Sequence, residues 1–210
     1  MGTLLVQMLD ATLVSLKIFA LTLVFAMPFG FVVAKGRMSK IKVVSGLVNV
    51  YIMIMRGTPL ILQLIFFYFA PYYIFKVSFD RFTACIFAFV LNYSAYFAEI
   101  YRSGLQAIPI GQHEACYVLG LNRWDEFIQV KLPQVIRIVW PSLGNEVITL
   151  VKDTALAQTI GVAELFRVAQ NASARQFSTM PIFIAGVFYF IMNAVVSKFF
   201  DFTEKKISRY

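Results

Sequence analysis

The chain has 210 residues, of which 60% are hydrophobic and only 14% are charged, and its mean hydropathy is +0.74. A soluble domain of this length needs more polar side chains to cover its surface, so the composition predicts an all-α integral membrane protein covered by lipid. The formal net charge of +8 is typical of a membrane protein with basic cytoplasmic loops. The sequence has no basic stretch interleaved with exposed aromatic residues on a polar background, which disfavours nucleic-acid binding.

The apolar residues fall into segments of membrane-spanning length within a single domain, 1–210. A hydrocarbon core about 30 Å thick requires roughly 20 mainly apolar residues for each spanning helix. The apolar run that begins at Ala11 is too long for a signal peptide, which predicts a retained first helix. The sequence therefore predicts about five spans, which cover residues 12–34, 58–76, 82–102, 134–160 and 182–200.

The region before the second span is ambiguous. Residues 43–55 are apolar but too short to cross the membrane, and Arg56, Gly57, Thr58 and Pro59 interrupt the run. We predict a helix on the cytoplasmic side that is followed by a separate span. The alternative is a single helix that breaks near Gly57.

The basic residues predict the orientation of the five spans, with the N-terminus outside and the C-terminus inside. Lys and Arg residues favour cytoplasmic loops. The four outer basic residues are Lys76, Arg81, Arg167 and Arg175, and the twelve inner ones are Lys35, Arg37, Lys40, Lys42, Arg102, Arg123, Lys131, Arg137, Lys198, Lys205, Lys206 and Arg209.

A polar segment of about 103–133 connects the third and fourth predicted spans on the inner side. Residues 112–119 predict a short helix, and Gly120 suits the left-handed position that follows a helix. Asn122 can cap a second short helix, and Pro133 suits the first turn of the next span. Such a short, stiff element favours docking to a soluble partner, although an ordinary solvated loop is the alternative.

This segment resembles the E-A-A-x3-G-x9-I-x-L-P loop of ABC importer permeases. Cys116 replaces the second Ala and Val130 replaces the Ile, whereas the spacing is kept. The resemblance implies a loop that couples the chain to an ATPase. The residues that carry this expected role are Glu114, Ala115, Gly120, Arg123, Leu132 and Pro133.

Further motifs resemble the polar amino acid uptake family, which includes histidine, glutamine and arginine permeases. Arg56-Gly57-Thr58-Pro59-Leu60, followed by Gln63, is similar to the family's RGTPL-x-x-Q segment. Lys152-Asp153-Thr154 also follows the family spacing, but Ala155 stands where the family usually has Ser. This departure leaves the identity of the substrate more open.

The resemblance implies the MetI-like transmembrane domain of a type I importer. It also implies the partners: two ABC ATPase subunits that bind ATP and Mg²⁺, a second permease subunit in a homodimer or a heterodimer, and an extracytoplasmic amino acid-binding protein. The expected location is the bacterial cytoplasmic membrane. The chain itself contains no G-x-x-x-x-G-K-[ST] sequence, so hydrolysis is expected in the partner and no cofactor is expected in this chain.

Ionisable residues within the predicted spans are candidates for the substrate pathway, because a charge in lipid is costly. A zwitterionic substrate needs both signs of charge nearby, although structural ion pairs or snorkelling of the side chains to the membrane interface are an equal alternative. These candidates are Glu99, Glu146, Lys152, Asp153 and the adjacent Thr154. We predict a structural role for Arg56, and no role for His113 or the two cysteines in a metal site or a disulfide framework.

Two other functions compete with that of an ABC permease. A secondary transporter or channel subunit would act without an ATPase, but five spans without a visible repeat are few for that role. A membrane-embedded enzyme is disfavoured because no catalytic set of residues stands in credible register.

Overall fold

The computed structural model describes residues 2–207, and Arg209 of the orientation prediction lies outside this range. The described chain is helical, which confirms the predicted all-α class. In chain order the elements are α1 (Gly2–Arg37), α2 (Lys42–Gly57), α3 (Leu60–Phe75), α4 (Arg81–Gln106), α5 (Ile110–Val118), α6 (Arg123–Asp125), a π-helix (Glu126–Lys131), α7 (Leu132–Asp153), a 3₁₀-helix (Thr154–Ile160), α8 (Leu165–Gln176) and α9 (Met180–Ile207).

Three helices within residues 2–207 are long and apolar enough to cross a membrane: α1, α4 and α9. The pair α2 and α3 reaches this standard only when taken together, and the two helices meet at an angle of 111°. Length and composition therefore indicate three or four spans. Helix α7 is not among them and carries four charged residues, so the predicted span 134–160 stays a prediction.

The centre of the molecule is the packing of α1 against α4. The large side chains Phe89, Tyr93 and Phe97 of α4 are fully buried there. The two backbones approach closely at Gly30, where an added Cβ would lie 2.8 Å from Cβ of Phe97 and 3.0 Å from the carbonyl oxygen of Ser94. Small residues at such a crossing allow close van der Waals contact between helices in lipid.

The corner between α2 and α3 is built by a proline and two buried amides. Thr58 is extended, as expected for a residue that precedes proline. The Nε2 atom of Gln63 donates to the oxygen of Met55 at 2.9 Å, and Nδ2 of Asn92 donates to the same oxygen at 3.0 Å. These bonds satisfy a carbonyl that the helix break leaves free, and they attach the corner to α4.

The helix type changes within the predicted span 134–160. The α-helix ends at Asp153 and continues as the 3₁₀-helix, which stops at Gly161 with φ of 86°. Helix α8 then begins with a buried cap, because the Glu164 carboxylate accepts from the N–H groups of Phe166 and Arg167 at 2.7 Å. The Tyr189 hydroxyl of α9 donates to the same carboxylate at 2.9 Å, so one acid joins the two helices.

Candidate functional site

A polar cavity of about 510 Å³ opens at the corner between α2 and α3. Its walls come from four parts of the chain: the corner itself, the middle of α4, the second half of α7 and the start of the 3₁₀-helix. The lining residues are Arg56, Gly57, Thr58, Pro59, Leu60, Asn92, Tyr93, Tyr96, Glu146, Thr149, Asp153 and Leu156.

The cavity brings one positive and two negative side chains together. Arg56 comes from the end of α2, and Glu146 and Asp153 come from α7. The Tyr93 hydroxyl donates to Oδ2 of Asp153 at 2.7 Å and so orients this carboxylate. The guanidinium of Arg56 lies over the ring of Tyr96, with Cζ 5.2 Å from the ring centroid. A ligand in the cavity therefore meets both signs of charge.

Neutral polar groups complete the wall. Thr58, Asn92 and Thr149 supply hydroxyl and amide groups, whereas Leu60 and Leu156 supply apolar surface. A few convergent polar groups in a partly apolar concave site are typical of small-molecule binding. Sequence reasoning missed Asn92 and Thr149, because an isolated amide or hydroxyl in an apolar helix gives no distinctive pattern.

Glu99, a predicted pathway residue, lies outside the cavity lining and within an arginine cluster. The guanidinium of Arg102 donates to both of its carboxylate oxygens, at 3.0 and 2.7 Å. Arg37 and Arg56 approach the same carboxylate more loosely, at 4.0 and 3.8 Å. Arg56 therefore has two environments, since it belongs to this cluster and also lines the cavity. The structural role predicted for Arg56 describes only the first of them.

Lys152 and Thr154 also lie away from the cavity that contains Asp153. Lys152 lines a separate depression with Phe166 and Tyr189. Thr154 is buried, and its hydroxyl donates to the carbonyl of Val151 at 2.8 Å. Adjacent helical residues point about 100° apart, which explains why Asp153 faces the cavity while Lys152 does not.

The polar segment forms the helix and glycine turn that the sequence predicts. Helix α5 ends at Val118, and Gly120 follows it with φ of 73°, which confirms the left-handed position. The N–H of Gly120 donates to Tyr117 and that of Leu121 donates to Cys116, both at 3.0 Å. This pair of bonds is a Schellman motif, which satisfies the last carbonyls of the helix.

The second short helix becomes a π-helix after one turn. The Asn122 side chain accepts from the N–H groups of Trp124 and Asp125, both at 2.9 Å, which confirms the predicted cap. The N–H of Leu132 donates to the carbonyl of Phe127, five residues earlier. Pro133 follows in the first turn of α7 and has no N–H to donate to the carbonyl four residues earlier, so the ordinary helical ladder is interrupted at this point.

The polar segment also exposes large apolar side chains. Val118 is 84% exposed and Trp124 is 70% exposed, and Ile110, Tyr117 and Leu119 are exposed with them. An exposed apolar patch rimmed by polar residues is typical of a protein–protein contact. Of the predicted coupling residues, Gly120 forms the turn, Leu132 is half-buried, and Glu114, Ala115, Arg123 and Pro133 are exposed.

A cluster of three charged or ionisable side chains connects α5 to the start of α7. Glu126 is only 5% exposed, with Nζ of Lys131 at 2.5 Å and Nδ1 of His113 at 2.7 Å from its Oε1 atom. Hydrogen bonds from Lys131, and then from His113, hold the pKa of the Glu126 carboxyl below its usual value. Sequence reasoning missed this cluster, because His113 is 13 residues from its partner.

The sequence matches a family model over residues 26–209, which is described as "Binding-protein-dependent transport system inner membrane component". The chain is similar to the L-cystine transport system permease protein TcyB of Bacillus subtilis, with 39% identity over 90% of this chain and 82% of that protein. It is also similar to the putative glutamine transport system permease protein GlnP of Rickettsia felis, with 35% identity over 94% of this chain and 91% of that protein.

Two solved structures of ABC transporters are also similar to this chain. An amino acid ABC transporter crystallised with histidines superposes with a TM-score of 0.87 at 33% identity, over 95% of this chain and 94% of that chain. The MetNI methionine ABC transporter superposes with a TM-score of 0.74 at 18% identity, over 97% of this chain and 95% of that chain, which shows the shared fold alone. The chain is therefore a multi-pass membrane protein that belongs to the family of binding-protein-dependent transport system inner membrane components, the permease subunits of ABC importers.

Proposed function

We propose that this permease carries a polar amino acid through the cavity at the corner of α2 and α3. The observation that supports this most strongly is that Arg56, Glu146 and Asp153 line the same cavity. A free amino acid has a carboxylate and an ammonium group within a few bonds of each other. The carboxylate would bind Arg56, and the ammonium group would bind the two acids.

The loose contact of Arg56 with Glu99 supports this assignment. Both oxygens of Glu99 already accept hydrogen bonds from Arg102, whereas Arg56 is 3.8 Å away and is shared with the ring of Tyr96. A substrate carboxylate could therefore bind Arg56 without breaking a strong hydrogen bond, and a bidentate pair with carboxylate is the geometry that guanidinium favours. Glu99 then acts as a support for the site.

The energy for transport would come from an ABC ATPase that binds the polar segment. The exposed apolar side chains of α5 and α6 need a protein cover in water, and Gly120 forms the left-handed turn between the two helices. ATP and Mg²⁺ would bind in that partner. Glu114, Ala115 and Arg123 are exposed on the same segment and would contact it.

The proposed assembly has two permease subunits, two ATPase subunits and an extracytoplasmic binding protein in the bacterial cytoplasmic membrane. The basic residues favour an outer N-terminus and an inner C-terminus, which places α5 and α6 on the side of the ATPase. The permease pair is either two copies of this chain or this chain with a sister permease.

Charge-removing variants of the cavity test the substrate site. The permease and its ATPase are reconstituted in liposomes, and uptake of a panel of labelled amino acids is measured with the loaded binding protein outside. We expect Asp153→Asn and Glu146→Gln to reduce maximal uptake strongly, because each removes a carboxylate from the ammonium site. Lys152→Gln is the matched control, since Lys152 lies outside the cavity lining.

Copurification with the ATPase should be unchanged in all three variants, because none of these residues lies in the polar segment. Uptake at the wild-type rate by both Asp153→Asn and Glu146→Gln would place the substrate elsewhere in the pathway.

A further inference from the structure

Helix α5 has few attachments to the rest of the molecule. Among residues 2–207, two side-chain hydrogen bonds connect it to later elements: His113 to Glu126, at 2.7 Å, and Gln134 to Gln112, at 3.4 Å. The first is shorter and involves an acid that is nearly buried. The shorter of the two bonds therefore ends on Glu126, which lies in the π-helix directly before α7.

The Glu126–Lys131 ion pair depends on the π-helix. The two residues are five positions apart, and in an α-helix such residues point about 140° away from each other. Side chains meet across an α-helix when they are three or four positions apart. In a wider π turn, whose hydrogen bonds join residues five positions apart, residue i+5 comes back towards residue i, which allows the contact of 2.5 Å.

Glu126 thus makes two contacts with one carboxylate. Its carboxylate contacts His113 of α5 and Lys131 at the end of the π turn. If the π turn changed to an α turn, the turn would contain one residue fewer. The chain before it, including α5, would then rotate by about 100° relative to α7. Helix α7 carries Glu146 and Asp153, and Glu146 lies about 22 Å along the axis from Lys131.

We propose that Glu126 is a positioning residue that fixes the rotational register between α5 and α7, so that movement of α5 becomes movement of the cavity wall. This inference rests on the proposed function, since it requires that an ATPase moves α5. It adds the route by which that movement reaches the substrate site.

The test uses the full complex of permease, ATPase and binding protein in nanodiscs. ATP hydrolysis is measured against the concentration of substrate-loaded binding protein. We expect Glu126→Gln and Lys131→Val to lower the maximal stimulated rate several-fold, with the half-saturating concentration and copurification unchanged. Lys131→Arg, which keeps the charge, should couple like the wild type. Glu204→Gln removes an exposed acid near the end of α9 and is the control for charge alone.

An exchange of neighbours tests the register directly. The double variant Val130→Lys, Lys131→Val moves the base to the fourth position after Glu126, where it pairs with the acid in an α-helix. We expect this variant to remain as uncoupled as Lys131→Val, because its ion pair stabilises the wrong turn.

Wild-type coupling in the exchange variant or in Glu126→Gln would overturn the inference, as would equal losses in Lys131→Arg and Lys131→Val. The wild-type complex separates the two proposals. Absence of stimulation there contradicts the proposed function, and with it this inference, whereas stimulation that survives in every variant contradicts the inference alone.

Discussion

Replacement of Gly120 tests the turn of the polar segment most cleanly. Its φ of 73° is in the left-handed region, and an added Cβ would meet nothing within 4 Å. A substitution therefore costs backbone conformational energy and causes no clash. A residue with a Cβ in this region costs roughly 1–2 kcal/mol, and a β-branched residue costs more.

This magnitude predicts a graded series. Asn tolerates the left-handed region, so Gly120→Asn should be nearly normal. Gly120→Ala should shift the balance between the closed and the opened turn by a factor of about 5–30, the factor that 1–2 kcal/mol represents. Gly120→Val should open the turn further, since the Schellman bonds of Gly120 and Leu121 require this backbone conformation.

The assay is ATP hydrolysis with and without substrate-loaded binding protein, together with copurification of the ATPase. We expect stimulated hydrolysis to fall in the order Asn, Ala, Val, and Gly120→Val to weaken copurification as well. Glu114→Ala should be milder than Gly120→Val, because it removes one exposed charge and keeps the turn. Gly46→Val is the matched control, because Gly46 also has open space around its Cβ position and lacks a positive φ. Normal coupling in Gly120→Val would show that the polar segment is only a connecting loop.

Three further predictions concern topology and packing. A cysteine that replaces Lys40 should react with an impermeant label only from the cytoplasmic side, and one that replaces Gln176 should react only from outside. The wild type gives the background, because both native cysteines are buried. The reverse labelling pattern would mean that the chain has the opposite orientation. Gly30→Val should lower the thermal stability of the complex by about 1–3 kcal/mol, since its Cβ would contact Cβ of Phe97 at 2.8 Å, and unchanged stability would contradict this packing. Phe177→Gly should raise stability by up to about 1 kcal/mol in thermal unfolding, because Phe177 is 98% exposed and has φ of 49°; a lower stability would mean that the aromatic ring makes a contact of its own.

The sequence predicted the features that depend on local chemistry. The left-handed Gly120, the Asn122 cap and the position of Pro133 in the first turn of α7 each follow from the conformational limits of one residue type. The separation of α2 from α3 likewise follows from Pro59, which cannot continue the hydrogen-bond ladder of a helix.

The sequence did not predict which polar residues meet, since that depends on helix rotation. Asp153 and Lys152 are neighbours in sequence, yet they line different depressions. By sequence alone, Glu99 and Glu146 are equal candidates for the pathway. In the fold, three arginines surround Glu99 and make it part of an ion cluster. The π-helix was also missed, because it has no composition of its own and the contact between Glu126 and Lys131 that accompanies it is not visible in the sequence.

The most direct test of the central claim is uptake of a labelled polar amino acid by liposomes that contain this chain and its ATPase, with the loaded binding protein outside and ATP inside. We expect accumulation against the gradient that requires hydrolysable ATP and stops when ADP replaces it. Equal uptake without ATP, or a chain that never copurifies with an ATPase, would contradict it.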